Sequence, residues 1–258
     1  MAETTPLDDA HAAMVAAPED DAARLAFYGR LADTELFLML EREAQGEDIA
    51  PRLFPLEDGP YVLVYDREDR LARFAGGPTP YAALPGRRVV AHLAGRGIGL
   101  ALNLGEAPSE MLLPEDAVGW LAETLAARPE AATALPREVR PPHQLPQALL
   151  TALDARLARA QGLAACALLA EVAYADGARG HLLAFVDAAP GAEGTLARAA
   201  NEALAFSGLE AGTLDVTCLP EAHVLTARLA RVALRFDLPQ AEAPTPPGRD
   251  PDRPPKLR

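Results

Sequence analysis

Glu35-Leu-Phe-Leu-Met-Leu-Glu41 places five apolar residues between two acids. A run this short and apolar on both faces suits a strand covered from above and below. Tyr61-Val-Leu-Val-Tyr65 repeats the pattern with aromatic and β-branched residues, which fit a pleated backbone. The segment before these strands has helical period. Thr5-Pro6-Leu7-Asp8 offers an N-cap, a proline at the first helical position and a carboxylate at the third, predicting a helix to about Ala16. Pro18-Glu19-Asp20 opens a second helix, with Ala22, Leu25, Tyr28 and Leu31 as its apolar stripe and Asp33-Thr34 as its end. The class is α+β.

Further along, the proline-bearing run Arg52–Leu56 reads as an edge strand. Asp66-Arg-Glu-Asp69 reads as a polar turn from which Leu71–Ala75 returns as a hairpin arm. Gly76-Gly77-Pro78-Thr79-Pro80 is a loop, and a helix is expected over Tyr81–Ala94, delayed or interrupted by Pro85-Gly86. Ile98, Leu100, Leu102 and Leu104 alternate with Gly99, Ala101, Asn103 and Gly105, a two-residue period and hence a strand. Glu115–Ala127 follows as a helix with Trp120 at the rim of its buried stripe.

Residues 128–145 hold four prolines and read as a linker. A second unit then begins, with a helix over Pro146–Ala160. Strands Ala164–Tyr174 and His181–Asp187 flank the hairpin signal Asp176-Gly177. A helix over Thr195–Ser207, a strand Thr213–Cys218, a helix from Pro220 to about Val232 and a closing stretch through Phe236 and Leu238 complete it. The expected organisation is two α+β domains with mixed β-sheets packed by helices, over 1–127 (with a helical acidic start at 5–33) and 146–238. The proline- and charge-rich residues 239–258 are expected to be a disordered tail.

Across 258 residues, 24 Lys and Arg face 37 Asp and Glu, a net charge of −13. Such a chain is poorly suited to phosphate backbones or anionic membrane surfaces. No apolar run approaches the roughly 18 residues of a membrane span, and Met1-Ala2-Glu3-Thr4-Thr5 lacks the basic head of a signal peptide. No nucleic acid, no membrane and a cytoplasmic location are therefore expected. Ala makes up about a fifth of the chain and Arg outnumbers Lys 23 to one, a bias that reads as GC-rich coding. Cys166 and Cys218 are expected to be unpaired and buried.

Reactive motifs are missing. Gly95-Arg-Gly97-Ile-Gly99 follows a helix and precedes a strand, the reverse of a dinucleotide fingerprint. His11, His92, His143, His181 and His223 share no helical spacing. A Cys218–His223 pairing is disfavoured by the strand parity that buries the cysteine. No catalytic residue, metal ligand or cofactor is expected. Two candidate sites remain. Asn103, a polar residue on the small-residue face of its strand, either bonds to neighbouring backbone or borders a shallow ligand cleft with Tyr81. Asp8, Asp9, Glu19, Asp20 and Asp21 form either a solvated acidic face or a docking face for a basic partner.

The stretches Asp33–Glu41, Tyr61–Asp66, Ala75–Pro78 with Leu84-Pro85, and Gly97-Ile-Gly-Leu-Ala-Leu-Asn-Leu-Gly105 resemble the SseB-like (enhanced serine sensitivity) family over about residues 20–127. The resemblance implies a bacterial cytosolic protein of mixed α and β structure, often with a second C-terminal domain, and brings no catalytic residue or cofactor. The expected function is a non-enzymatic protein-interaction or regulatory protein. The alternatives are a small-metabolite sensor at Asn103 and Tyr81, and a cryptic enzyme.

Overall fold

The computed structural model describes residues 4–44, 46, 49–126, 136–143, 145–175, 177–207 and 214–240. Half of the linker expected at 128–145, and the tail expected at 239–258 from 241 onward, lie outside these residues. The described chain is α+β: two mixed sheets with their helices. No described helix is long and apolar enough to cross a membrane.

In the N-terminal half, helices α1 (Pro6–Ala16) and α2 (Asp21–Asp33) lead into strand β1 (Glu35–Met39). β2 (Leu53–Leu56), β3 (Gly59–Tyr65), α3 (Glu68–Ala75), β4 (Tyr81–Pro85), α4 (Gly86–Leu93), β5 (Gly99–Leu102), β6 (Met111–Leu113) and α5 (Glu115–Ala126) follow. The sheet runs β4-β1-β3-β5-β6, with β2 on β3; only β3 and β5 are parallel. Strand β2 sits off the main path, paired with β3 alone, the position its proline requires. Leu36, Leu38, Val62, Val64, Leu100 and Leu102 face a core closed by α2, α4 and α5. The opposite face carries Met39, Tyr61, Leu63, Tyr65 and Ala101 under α3.

The C-terminal half holds β7 (Glu138–Arg140), α6 (Gln147–Leu157), β8 (Cys166–Ala173), β9 (Arg179–Val186), α7 (Glu193–Ala205), β10 (Leu214–Leu219), α8 (Val224–Leu229) and β11 (Leu234–Asp237). Its sheet runs β10-β9-β8-β11 with β7 also on β8. Helices α6 and α7 cover one face and α8 the other. The halves meet helix to helix, α2 against α6 and α5 against α7. Phe206, just past α7, is buried in the core of the N-terminal half.

Three expectations are corrected. Residues 66–75 do not form a turn and hairpin arm. Glu68 and Asp69 open α3, Leu71 and Ala75 fall on one helical face, and Gly76 closes it at φ 66°. Tyr81–Pro85 is a strand, not the start of a helix. Pro85 disfavours helical backbone at Leu84, and Ala82 and Leu84 alternate inward while Tyr81 and Ala83 pair with Met39 and Phe37. Within the expected linker, Glu138–Arg140 pairs with β8.

Gly86, where β4 turns into α4, donates its N–H to Thr34 O at 2.8 Å. A Cβ there would lie 2.0 Å from the Leu31 carbonyl oxygen, so only glycine permits this approach of α4 to α2. Gly86→Ala should cost more than about 2 kcal/mol. Gly119→Ala, inside α5 with nothing within 4 Å of the added carbon, should stabilise by about 0.5–1 kcal/mol. Urea denaturation of the two variants checks both signs.

Candidate functional site

Asn103 follows β5 with φ 51° and is fully buried. Its N–H donates to Val64 O at 2.9 Å, its Oδ1 accepts from Asp66 N–H at 3.0 Å, and its Nδ2 donates to Ser109 Oγ at 2.9 Å. The same arrangement recurs in the second sheet. Asp187 follows β9 at φ 49°, donates its N–H to Leu219 O and accepts from Glu221 N–H at 2.8 Å. In each case the residue that ends one parallel strand caps its neighbour, and short Asx side chains tolerate the left-handed conformation. Of the two readings open for Asn103, these bonds are those of the backbone-bonding one.

The Asn103 chain of bonds continues inward. Ser109 Oγ donates to Asp8 Oδ1 at 2.5 Å, and Arg70 donates to Asp8 at 3.1 and 2.5 Å and to Asp66 at 2.8 Å. Thr5 Oγ1 donates to the other Asp66 oxygen, while Thr5 and Asp8 close a capping box at the start of α1. Arg70 and Asp8 are almost wholly buried. A buried cation needs such partners, and this set fastens α1 to α3 and to the ends of β3 and β5.

Tyr81 is 37% exposed. Its hydroxyl donates to Glu68 Oε1 at 2.9 Å and its ring meets Phe37 edge-on at 5.6 Å. It borders a cleft of about 370 Å³ between α3 and the Gly77–Thr79 loop, whose lining does not include Asn103. The two residues paired at the sequence level therefore do not share a lining.

The five acidic candidates separate. Asp8 is withdrawn into the Arg70 network and presents no docking surface, because its carboxylate is the arginine's counter-ion. Asp20 caps α2 through Ala22 N–H, and Asp21 pairs with Arg24 at 2.6 Å. Asp9, Glu19, Asp20 and Asp21 are exposed. Residues 1–126 hold 22 acids and 10 arginines, a net of −12, against 15 acids and 14 bases in the remainder. Beside the acidic helices, Trp120 of α5 is 41% exposed and meets Tyr28 of α2 edge-on at 5.3 Å.

Between the halves lies a charged seam that no spacing in the sequence announces. Glu202 on α7, only 2% exposed, accepts from Arg87 at 3.0 and 3.1 Å and from Arg156 at 2.6 Å. Asp33, at the end of α2, pairs with Arg87 at 2.5 Å, Arg156 at 3.5 Å and Arg159 at 2.9 Å. Burial, and after it the neighbouring Arg87 and Arg159, push the Arg156 guanidinium below its ordinary value despite Asp33 and Glu202. These residues and Arg198 line a cleft of about 300 Å³.

Other chemistry is sparse. Burial raises the Cys166 and Cys218 thiols, so neither is primed as a thiolate. Cys218 is only half-buried rather than sealed. His223 Nδ1 accepts from Leu225 N–H as a helix cap. Among the described residues, no group of three His, Cys, Asp or Glu is placed to hold a metal ion.

Fold and site together define an α+β protein in which Asp8, Arg70, Asn103 and Ser109 form one buried polar network. The family model described as SseB protein N-terminal domain matches residues 10–120. Comparison with the curated proteins and with the solved structures gave no match.

Desolvation works to raise the Asp8 carboxyl, but hydrogen bonds from Arg70, Ser109 and Thr5 N–H outweigh it and hold it at about 2 against an ordinary 3.8. A lowered carboxyl stabilises the fold fully above its unfolded value and loses that contribution as the pH falls through its folded one. About 2 kcal/mol of stability should therefore disappear between pH 4 and pH 2. Urea titrations across this window should show a steeper loss in the wild type than in Asp8→Asn. At neutral pH, Asp8→Ala should cost about 3–5 kcal/mol by stranding Arg70.

Proposed function

We propose that the protein is a non-enzymatic interaction or regulatory protein of the bacterial cytoplasm that docks a basic segment of a protein partner on α1 and α2. One observation carries the reading: an exposed tryptophan, Trp120, stacked edge-on against the partly buried Tyr28 of α2, lies in the half that holds nearly all the net negative charge. Tryptophan and tyrosine dominate interface energetics when a partner covers them, a guanidinium or ammonium stacks well on tryptophan, and rim acids steer cations. Asp9, Glu19, Asp20 and Asp21 are exposed acids of α1, α2 and the turn between them. The non-enzymatic part of the reading is supported by the raised thiols and by the structural use of Asn103, Asp8 and His223. Two unpaired cysteines suit a reducing compartment.

A metabolite-sensing role is the second reading, and the cleft beneath Arg156 favours it more than the Asn103–Tyr81 region does, since Asn103 is sealed away.

Cross-linking mass spectrometry on the complex isolated from the native host should place cross-links to a basic segment on α1, α2 or the Trp120 turn of α5. Trp120→Ala should weaken that complex by about 30-fold or more. Asp9→Lys with Glu19→Lys should weaken it further, chiefly at low salt, with the melting temperature unchanged. A partner that binds these variants as tightly as the wild type would exclude this face.

A further inference from the structure

We propose that the cleft between the two halves binds a small phosphate group, either free or carried as a phosphomonoester by a compact metabolite. The inference starts from a charge imbalance. Arg87, Arg156, Arg159 and Arg198 line one cleft of about 300 Å³, and the only acids lining it are Asp33 and Glu202. Four cations against two anions leave a local surplus of two positive charges in a chain whose net charge is −13. Like charges held together in a partly dry site repel one another, and the two acids cancel only two of the four charges although three of the arginines are ion-paired.

The donors are unspent. A guanidinium carries five N–H donors in a planar fork. Arg156 commits Nη1 to Glu202 and Asp33, and Arg159 commits Nη1 to Asp33. The Arg198 side chain makes no ion pair or hydrogen bond among the described residues. The remaining donors of Arg156 are not sealed in protein, because His181 Nε2 is the one buried side-chain polar atom without a partner among the described residues. Those donors reach solvent, and Arg156 lines both this cleft and the adjoining one walled by Phe206 and α2. Glu202 has both oxygens occupied by Arg87 and Arg156, so its charge is compensated and does not repel an incoming anion unopposed.

The remaining wall defines the ligand. Pro85, Ala160, Leu163 and Leu196 give an apolar side, and none of the lining side chains is aromatic, so no ring is placed to stack a nucleobase. The volume is at the lower end for small-molecule sites. Arginine forks match the oxygens of a phosphate bidentately, and a tetrahedral dianion presents oxygens to several forks at once. Arg87 comes from the N-terminal half and the other three from the C-terminal half, so the same ligand fastens the halves together.

The test is calorimetric titration and thermal unfolding of the full chain with inorganic phosphate, glycerol 3-phosphate and succinate at matched ionic strength. Inorganic phosphate or glycerol 3-phosphate is expected to bind and to raise the melting temperature. A response to both marks a site that takes the esterified group, and a response to inorganic phosphate alone marks a site for the free ion. Arg198→Ala, which removes no bond within the fold, should unfold like the wild type without ligand yet bind about tenfold more weakly. Arg159→Ala combined with Arg198→Ala should abolish the response. No heat and no shift with either phosphate compound would overturn the proposal, as would unchanged affinity in Arg198→Ala. Succinate binding as tightly as either phosphate compound would overturn the choice of phosphate.

Discussion

Glu202 is a carboxylate that the fold cannot leave alone. At 2% exposure it lies where an unpaired charge is not tolerated, and it is satisfied by one arginine from its own half and one from the other. The contact of the two helical layers follows from this requirement. If α6 and α7 moved away from α2 and α4, Arg87 would be withdrawn and an uncompensated charge left behind. Apolar packing reinforces the constraint. Phe206 is buried among the N-terminal core residues, and a Cβ on Gly29 of α2 would lie 3.2 Å from it. The Arg156 guanidinium lies over the same ring at 5.4 Å, so the polar and apolar parts of the seam share one residue.

Much of the scaffold was legible because its signals are local. The Thr5 capping box, the alternation through Leu100 and Leu102, the antiparallel return from β8 to β9 and the approximate bounds of β8, β9 and β10 depend on neighbours within a few residues. The misread segments were decided at a distance. Residues 66–75 look polar and turn-like until Arg70 is seen to require Asp8, sixty-two residues earlier, which makes helix the conformation that delivers its side chain. Tyr81–Pro85 has enough alanine for a helix, yet the open edge of β1 recruits it as a strand. Glu138–Arg140 is three residues long and has no pattern of its own until β8 offers a ladder.

The site was less legible than the scaffold. Asn103 was visible as a polar residue out of place, and both its roles were open until the bond to Asp66 N–H was seen. Asp8 looked like one acid among several, and only burial separates it from Asp9. The arginines of the seam were hidden in a composition so rich in arginine that no single one stood out. Arg87 and Glu202 are 115 positions apart, and no period or motif joins residues at that separation. A signal existed in principle: Arg156 and Arg159 sit three apart at the end of a helix, with Glu202 on the next helix in the chain.

The unequal division of charge between residues 1–126 and the remainder gives the molecule an electrical polarity of its own, quite apart from any particular contact. In the field of a cationic surface it experiences a torque, and it turns so that the acidic end leads before the two bodies touch. Orientation by rotation in solution removes much of the angular search that limits encounter rates. Added salt shortens the reach of that field to within about 10 Å at 0.1 M, so the advantage is largest in dilute buffer and fades in concentrated electrolyte.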